Sequence, residues 1–451
     1  MKHASRLLVT ALLLTVMAGA SLPVRAESWS AVERSDEAKR YVEQLRKGTF
    51  DGDSKTFLEQ TALPILVSSD GLDTVSKTRR RMLEVLFDSK GDAKAREQAN
   101  AAAAAALVSM ASDISHPAGG RVNAVLLLGE LRGEDGRSPW NGAVPFLTSL
   151  AGNDKLQSGI RAAAMTGLAR HVDALRKQSE IDEKTQSALS SCLLAIIAAP
   201  PSATEPSASE WLVGRALDML PVAEKKASPA TAKALTELMT ASTRTIDVRV
   251  RAAAALGAII APDSAIDGPA AVLAIRDLAI EAIQSDIDAT LARALIGSMA
   301  GVPTTGRPGS YERGGIDGGM PGAVGPNGEM LPPAEPIDLA IVRRDAWRLL
   351  ALANATASGD GSSGLVTVTS DGATATRLAG ALREWAMNLA AAADAWSGAA
   401  SMKDAVDALA KIGPVTKPTA ASSPAAAASP AAVEAPPAAQ PRGNDPFGAP
   451  N

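Results

Sequence analysis

The chain has 451 residues, 46% of them apolar, so it can bury a large core, and its formal charge of −4 excludes the concentrated basic face of a nucleic-acid binder. Aromatic residues make up only 3% of it, with two tyrosines, while helix-compatible runs of Ala and Leu dominate, so the predicted fold class is all-α. A single cysteine, Cys192, excludes an intramolecular disulfide; in Leu189-Ser-Ser-Cys-Leu-Leu-Ala-Ile-Ile it reads as a small buried hydrophobe.

Residues 1–26 read as a cleaved secretory signal peptide. Lys2 and Arg6 form a basic start, Leu7 to Ala20 an uncharged apolar run, and Val24-Arg25-Ala26 a cleavage site. The run is shorter than the roughly 20 residues of a membrane span, and no cysteine follows it to carry a lipid. The expected product is exported, periplasmic or secreted, with no span after signal removal and a formal charge of −7, since Lys2, Arg6 and Arg25 leave with the signal.

Residues 27–300 then read as helices. Ser30 to Lys47 spaces Val32, Ala38, Tyr41, Val42 and Leu45 as an amphipathic helix. Thr56 to Ser68 and Ser76 to Phe87 follow across the turn signal Ser69-Asp70-Gly71. Ala93 to Ser112 is mostly Ala, and Arg121 to Arg132 follows the break at His116-Pro117.

Comparison of these stretches exposes a spacing: Arg, a small residue three later, Leu seven later, a small residue eight later. Arg121, Ala124, Leu128 and Gly129 fit it, as do Arg161, Ala164, Leu168 and Ala169, then Arg249, Ala252, Leu256 and Gly257, then Arg343, Ala346, Leu350 and Ala351. Arg79 with Leu86 fits in part. Weaker copies are Glu210–Asp218, Ala289–Gly297, and Met402 with Ala405, Leu409 and Ala410. Most starting positions lie near 40 residues apart, a period of two-helix repeats whose apolar stripes must be buried by neighbours. Small residues then mark close helix contacts and Leu fills the layer. Partner helices precede the copies: Ala143 to Ala151, Asp182 to Ala198, Pro229 to Ser242 and Pro269 to Gln284, with proline suited to the first turn.

Val248-Arg249-x-x-Ala-Ala-x-Ala-Leu-Gly, Gly120-Arg121-Val-Asn-Ala-Val-Leu-Leu-Leu-Gly and Ile160-Arg161-Ala-Ala-Ala-Met-Thr-Gly-Leu-Ala resemble the second-helix signature of HEAT repeats, relatives of armadillo arrays. The resemblance covers about residues 54–413. It implies a right-handed α-solenoid of about eight two-helix repeats, in which each Arg pairs with an Asp of a nearby turn. Asp154 would then serve Arg161, Asp247 Arg249, and Asp338 Arg343.

Two insertions interrupt the period. Residues 301–336 hold ten glycines and seven prolines and cannot form a regular helix. They read as either a disordered linker or a contact loop, with Tyr311 and Met320 as candidate partner contacts. Ser358 to Ala373 contains the β-prone Gly364-Leu-Val-Thr-Val-Thr-Ser-Asp-Gly, a lone run that reads as an ordered loop. Helical repeats resume over 337–413, through Thr374 to Ala393 and a closing helix Met402 to Ile412. The Pro/Ala-rich segment 414–451 reads as a disordered tail whose Phe447 is a candidate docking residue.

Catalytic and metal signatures are sparse. His116 and His171 have no second ligand at zinc spacing, and neither a nucleophile elbow nor a phosphate loop occurs. Asp51-Gly-Asp53 and Glu134-Asp135-Gly136 lack the continuation of a calcium loop and read as surface turns, and Asn354-Ala-Thr356 is a glycosylation sequon by pattern alone. No cofactor is expected. The leading functional expectation is an exported, non-catalytic scaffold presenting a solenoid surface to protein partners. The alternatives are an enzyme, lyase or chaperone with a site in the solenoid groove, and a cell-envelope component held by its tail.

Overall fold

The structure, a computed structural model, describes residues 28–68, 74–87, 91–177, 183–262, 266–299, 337–359, 361–392 and 395–412. The segment 1–26 expected to be a signal, the insertion 301–336 with Tyr311 and Met320, and the segment 414–451 with Phe447 lie outside the described residues. The described residues are helical throughout, without a strand.

The chain enters through α1 (Trp29–Arg34) and α2 (Asp36–Arg46), not through one continuous helix. Ser35 sits between them in extended backbone, and its hydroxyl accepts from the Ala38 amide, ending one helix and capping the next. Short α3 (Gly52–Thr56), capped by Asp51, runs into a π-helical turn at Phe57–Ala62 and a 3-10 turn at Leu63–Val67 where an α-helix was expected. Pro64 has no amide to donate, which displaces the hydrogen-bond ladder there.

Next come α4 (Val75–Leu86), α5 (Ala93–Ser112), α6 (Ala118–Glu130), α7 (Val144–Gly152), α8 (Ser158–Leu175), α9 (Glu183–Ala198), α10 (Pro206–Ala223), α11 (Pro229–Thr240) and α12 (Ile246–Ile259). The described chain closes with α13 (Gly268–Met299), α14 (Ile337–Thr356), α15 (Gly372–Ala390) and α16 (Ala395–Ala410). The expected boundary between Pro269–Gln284 and the copy at Ala289 is absent: α13 is one helix of 32 residues, because Ser285-Asp-Ile-Asp contains neither Gly nor Pro to stop it.

Helices pair along the chain, α5 with α6, α7 with α8, α9 with α10, α11 with α12 and α13 with α14. The second members then stack in sequence, α6 on α8, α8 on α10, α10 on α12 and α12 on α14. The inner members α8, α10 and α12 are therefore each walled in by a partner and two stack neighbours, which explains their broad apolar faces. Small residues mark the tightest crossings. A Cβ on Gly129 would stand 2.6 Å from the Gly167 Cα, and one on Gly257 would run into the Ala355 backbone. Leu128, Leu168 and Leu256 are fully buried between the helices, as their spacing predicts.

The signature arginines do something more specific than the pairing that the resemblance implied. Arg121 Nε donates to the Ala111 carbonyl (2.9 Å), Arg161 Nε to Ala151 (3.0 Å) and Arg249 Nε to Met239 (3.0 Å), each ten residues back. Every acceptor lies in the last turn of the preceding partner helix, α5, α7 or α11, where carbonyls lack intrahelical donors and the helix dipole is negative. Among the described residues Arg161 makes no ion pair with Asp154, and Arg249 pairs with Glu281 of α13 (2.6 Å) instead of Asp247. Asp247 turns to Arg348 of α14 (2.7 Å).

The fourth copy is displaced. In α14 the buried stripe is Ile341, Val342, Asp345, Ala346, Leu349, Leu352 and Ala353, so Arg343 lies on the exposed side and Leu350 is 45% exposed. Leu349 takes the place of the expected inward leucine. The shift brings Arg348 inward to the carboxylates of α12 and α13. Within the described residues 361–371 the connection forms a 3-10 turn at Leu365–Thr367, pinned by the buried Leu365, and no strand.

Replacing Arg249 by Ala should lower unfolding stability by about 1–3 kcal/mol, the cost of an orphaned buried carbonyl, whereas exposed Arg80→Ala should stay within about 0.5 kcal/mol. Equal urea midpoints for the two variants would contradict the capping role. Ala253 is fully buried in α12, so Ala253→Glu forces a carboxylate into a helix contact and should abolish the cooperative thermal transition seen by circular dichroism.

Candidate interaction surface

Two tryptophans stand apart from the buried stripe. In α10 the stripe is Leu212, Val213, Ala216, Leu217 and Leu220, leaving Trp211, Arg215 and Asp218 on the outer side. Trp211 remains 43% exposed and Trp347 of α14 remains 39% exposed. Each carries a guanidinium on its ring: Arg215 lies 5.7 Å from the Trp211 centroid and Arg251 of α12 lies 5.0 Å from that of Trp347.

Asp218 joins the two pairs. It bonds Arg251 and sits 3.6 Å from Arg215, so one carboxylate on α10 orients both cations. Gly214 makes room for this crossing, since a Cβ there would meet the Arg251 Cδ at 3.3 Å. Between α10 and α12 an open groove of about 320 Å³ is lined by Glu210, Trp211, Arg215, Thr245, Asp247 and Arg251, among others. The groove begins at one tryptophan and ends at the arginine covering the other, with exposed Leu350 one turn beyond Trp347. The strip therefore crosses α10, α12 and α14, three consecutive members of the stack.

The floor of the strip is fixed by an ion cluster centred on the buried Arg348, Asp286 and Asp345. Asp247, which lines the groove, bonds Arg348, and Arg348 also reaches Asp286 of α13 and Asp345 on its own helix, each at 2.7 Å. Arg344 adds a second cation to Asp286 at 2.6 Å. Three carboxylates thus face two guanidiniums. Asp345 is completely inaccessible and its Oδ2 has no partner. Burial raises its carboxyl well above the usual carboxylate range; Arg348 opposes this and the Asp286 charge reinforces it. The cluster thus favours holding a proton.

No family model, no curated protein and no solved structure matches this chain. The functional reading therefore rests on the arrangement of its own residues. Among the described residues no group of three or more His, Cys, Asp or Glu side chains is placed to hold a metal, and no helix is long and apolar enough to cross a membrane.

The residues singled out by the repeat spacing, Arg121, Leu128, Gly129, Arg161, Leu168, Arg249, Leu256 and Gly257, lie in helix contacts and not in this strip. Leu350 alone joins it, at an exposed position. His171 is buried with both ring nitrogens unbonded, and burial with the nearby Arg170 charge depresses it to about 4. Cys192 is partly covered, its thiol bonded to the Thr148 carbonyl and pushed up by burial to about 11. Asp135 holds its turn by accepting from Ser138 and the Arg137 amide, which pulls it down to about 2. Trp211 and Trp347 were legible in principle as aromatics standing off an otherwise regular apolar stripe.

Asp345 favours folding most in its neutral form, so its contribution is present at low pH and fades as pH rises above the ordinary carboxylate range. Asp345→Asn removes that titration while His171 stays common to both proteins. In urea unfolding at pH 5 and pH 8, the wild type should lose stability relative to the variant as pH rises; an unchanged difference would contradict the raised Asp345 carboxyl.

Proposed function

We propose that this protein is an exported, non-catalytic interaction scaffold, a HEAT-type right-handed α-solenoid that engages a protein partner through the Trp211–Arg251–Trp347 strip. The observation that carries this reading is the pairing of two half-exposed indoles with two carboxylate-oriented guanidiniums on consecutive stacked helices. Tryptophan and arginine are the residues that most often anchor protein interfaces, and a rigid support lowers the ordering cost of binding. Pinning by Asp218 and the Arg348 cluster supplies that support. The stacking of helix pairs and the three arginine-capped copies support the solenoid reading, and the first 26 residues support export.

Affinity capture with the full chain from a periplasmic extract should retain a stoichiometric protein partner. Trp211→Ala with Trp347→Ala should weaken that capture by about 30-fold or more, the effect of losing at least 2 kcal/mol of anchor energy. Undiminished capture by a double variant with an unchanged melting temperature would overturn the assignment of the strip.

A further inference from the structure

A second opening lies between α8, α9 and α10 and shares no lining residue with the groove of the tryptophan strip. Arg161 and Glu210 stand 49 residues apart where neighbouring copies keep near 40, and the connection 199–205 joins α9 to α10 within that wider interval. Pro200 and Pro201 keep the connection out of either helix. Side-chain hydrogen bonds fix its path: the Ser202 amide donates to the Ser209 hydroxyl (3.3 Å), and the Glu205 amide donates to Ser202 Oγ (3.1 Å). The result is a cavity of about 330 Å³, at the lower end of the range for small-molecule sites.

The lining sorts by exposure. Buried Ile196, Leu212 and Val213 form an apolar floor. Partly buried Arg161 supplies a guanidinium, and exposed Asp154 and Glu205 supply two carboxylates at the mouth. Arg161 and Arg249 both use Nε on the carbonyl ten residues back, but Arg249 also pairs through Nη1 with the Glu281 carboxylate at 2.6 Å. Where Arg249 meets Glu281, Arg161 borders the cavity, and among the described residues its Nη groups have no carboxylate partner. Neither Asp154 nor Glu205 pairs with a described cation.

These groups select a ligand by charge and shape. An open guanidinium fork matches one carboxylate. The two carboxylates at the mouth match an ammonium, and the floor matches an aliphatic group. An anion without an ammonium would meet Asp154 and Glu205 unpaired, and a cation without a carboxylate would leave Arg161 unfilled, so the complementary ligand carries both charges. We propose that this cavity binds a free aliphatic α-amino acid. Its carboxylate sits on Arg161, its ammonium faces Asp154 and Glu205, and its side chain covers Ile196, Leu212 and Val213. Such a ligand bridges α8, α9 and α10 at the point where the repeat spacing widens.

Isothermal titration calorimetry of the full chain with L-leucine tests the assignment. Leucine should bind saturably, whereas N-acetyl-leucine and leucinamide, each lacking one charge, should bind at least about tenfold more weakly, the effect of losing a charge-assisted hydrogen bond. Asp154→Asn with Glu205→Gln should weaken leucine at least about tenfold without weakening N-acetyl-leucine, which has no ammonium to lose. Both residues are exposed, so the ligand-free melting temperature should match that of the parent. No saturable leucine binding, equal affinity for the three probes, or parental leucine affinity in the double variant would overturn the assignment. The probe series needs no substitution, so it decides the question even where a variant folds poorly. Partner capture through the strip is a separate measurement, and either result can fail without the other.

Discussion

A stack of helix pairs creates a recurring problem at the end of each partner helix, where carbonyls run out of intrahelical donors just as the chain turns into the next helix. This protein answers it with guanidinium groups. Arg121, Arg161 and Arg249 reach back ten residues to the last turns of α5, α7 and α11. At α9 the equivalent signature position is Glu210, and the donor comes from elsewhere: Arg244 bonds the Ala199 carbonyl and pairs with Glu210 at 2.8 Å. Arg170, Arg276 and Arg383 reach the carbonyls of Gly129, Ile412 and Ala357 in the same manner. Arginine suits this role because its fork can satisfy a carbonyl through one nitrogen and a carboxylate through another, as Arg244 and Arg249 do.

The same economy of charge shapes the surface. Over α10 and α12 the guanidiniums of Arg215 and Arg251 shift from capping carbonyls to covering indoles, and the Asp218 carboxylate holds both. The displaced register of α14 links these levels. Turning Arg348 inward satisfies Asp247 and Asp286, and turning Leu350 and Trp347 outward exposes the apolar end of the strip. A departure from the repeat thus gives the surface its distinct chemistry.

The repeat contacts were largely legible in the sequence because burial imposes residue types at fixed spacing. Ala124, Leu128, Ala164, Leu168, Ala252 and Leu256 are fully buried at the positions their copies share. The arginine partners were not legible, since a side chain that reaches a carbonyl leaves no residue-specific mark at the acceptor: Ala111, Ala151 and Met239 are apolar residues like those around them. Nor was the register of α14, where Leu349 and Leu350 are adjacent and either could face inward. The acidic partners Asp286 and Asp247 lie 62 and 101 residues from Arg348, and only the tertiary packing selects between the two leucines. The tryptophan strip leaves no local pattern in the sequence because its members belong to three different helices.

The exchange of roles between Glu210 and Arg244 allows a direct test of the capping account. Glu210→Arg alone should destabilise the chain by placing two cations together, and Arg244→Glu alone should orphan the Ala199 carbonyl. In the double exchange, an arginine at the signature position can reach that carbonyl while pairing with the carboxylate at 244. The double variant should regain at least half of the stability lost by the two single variants in urea unfolding. Losses that simply add would contradict it.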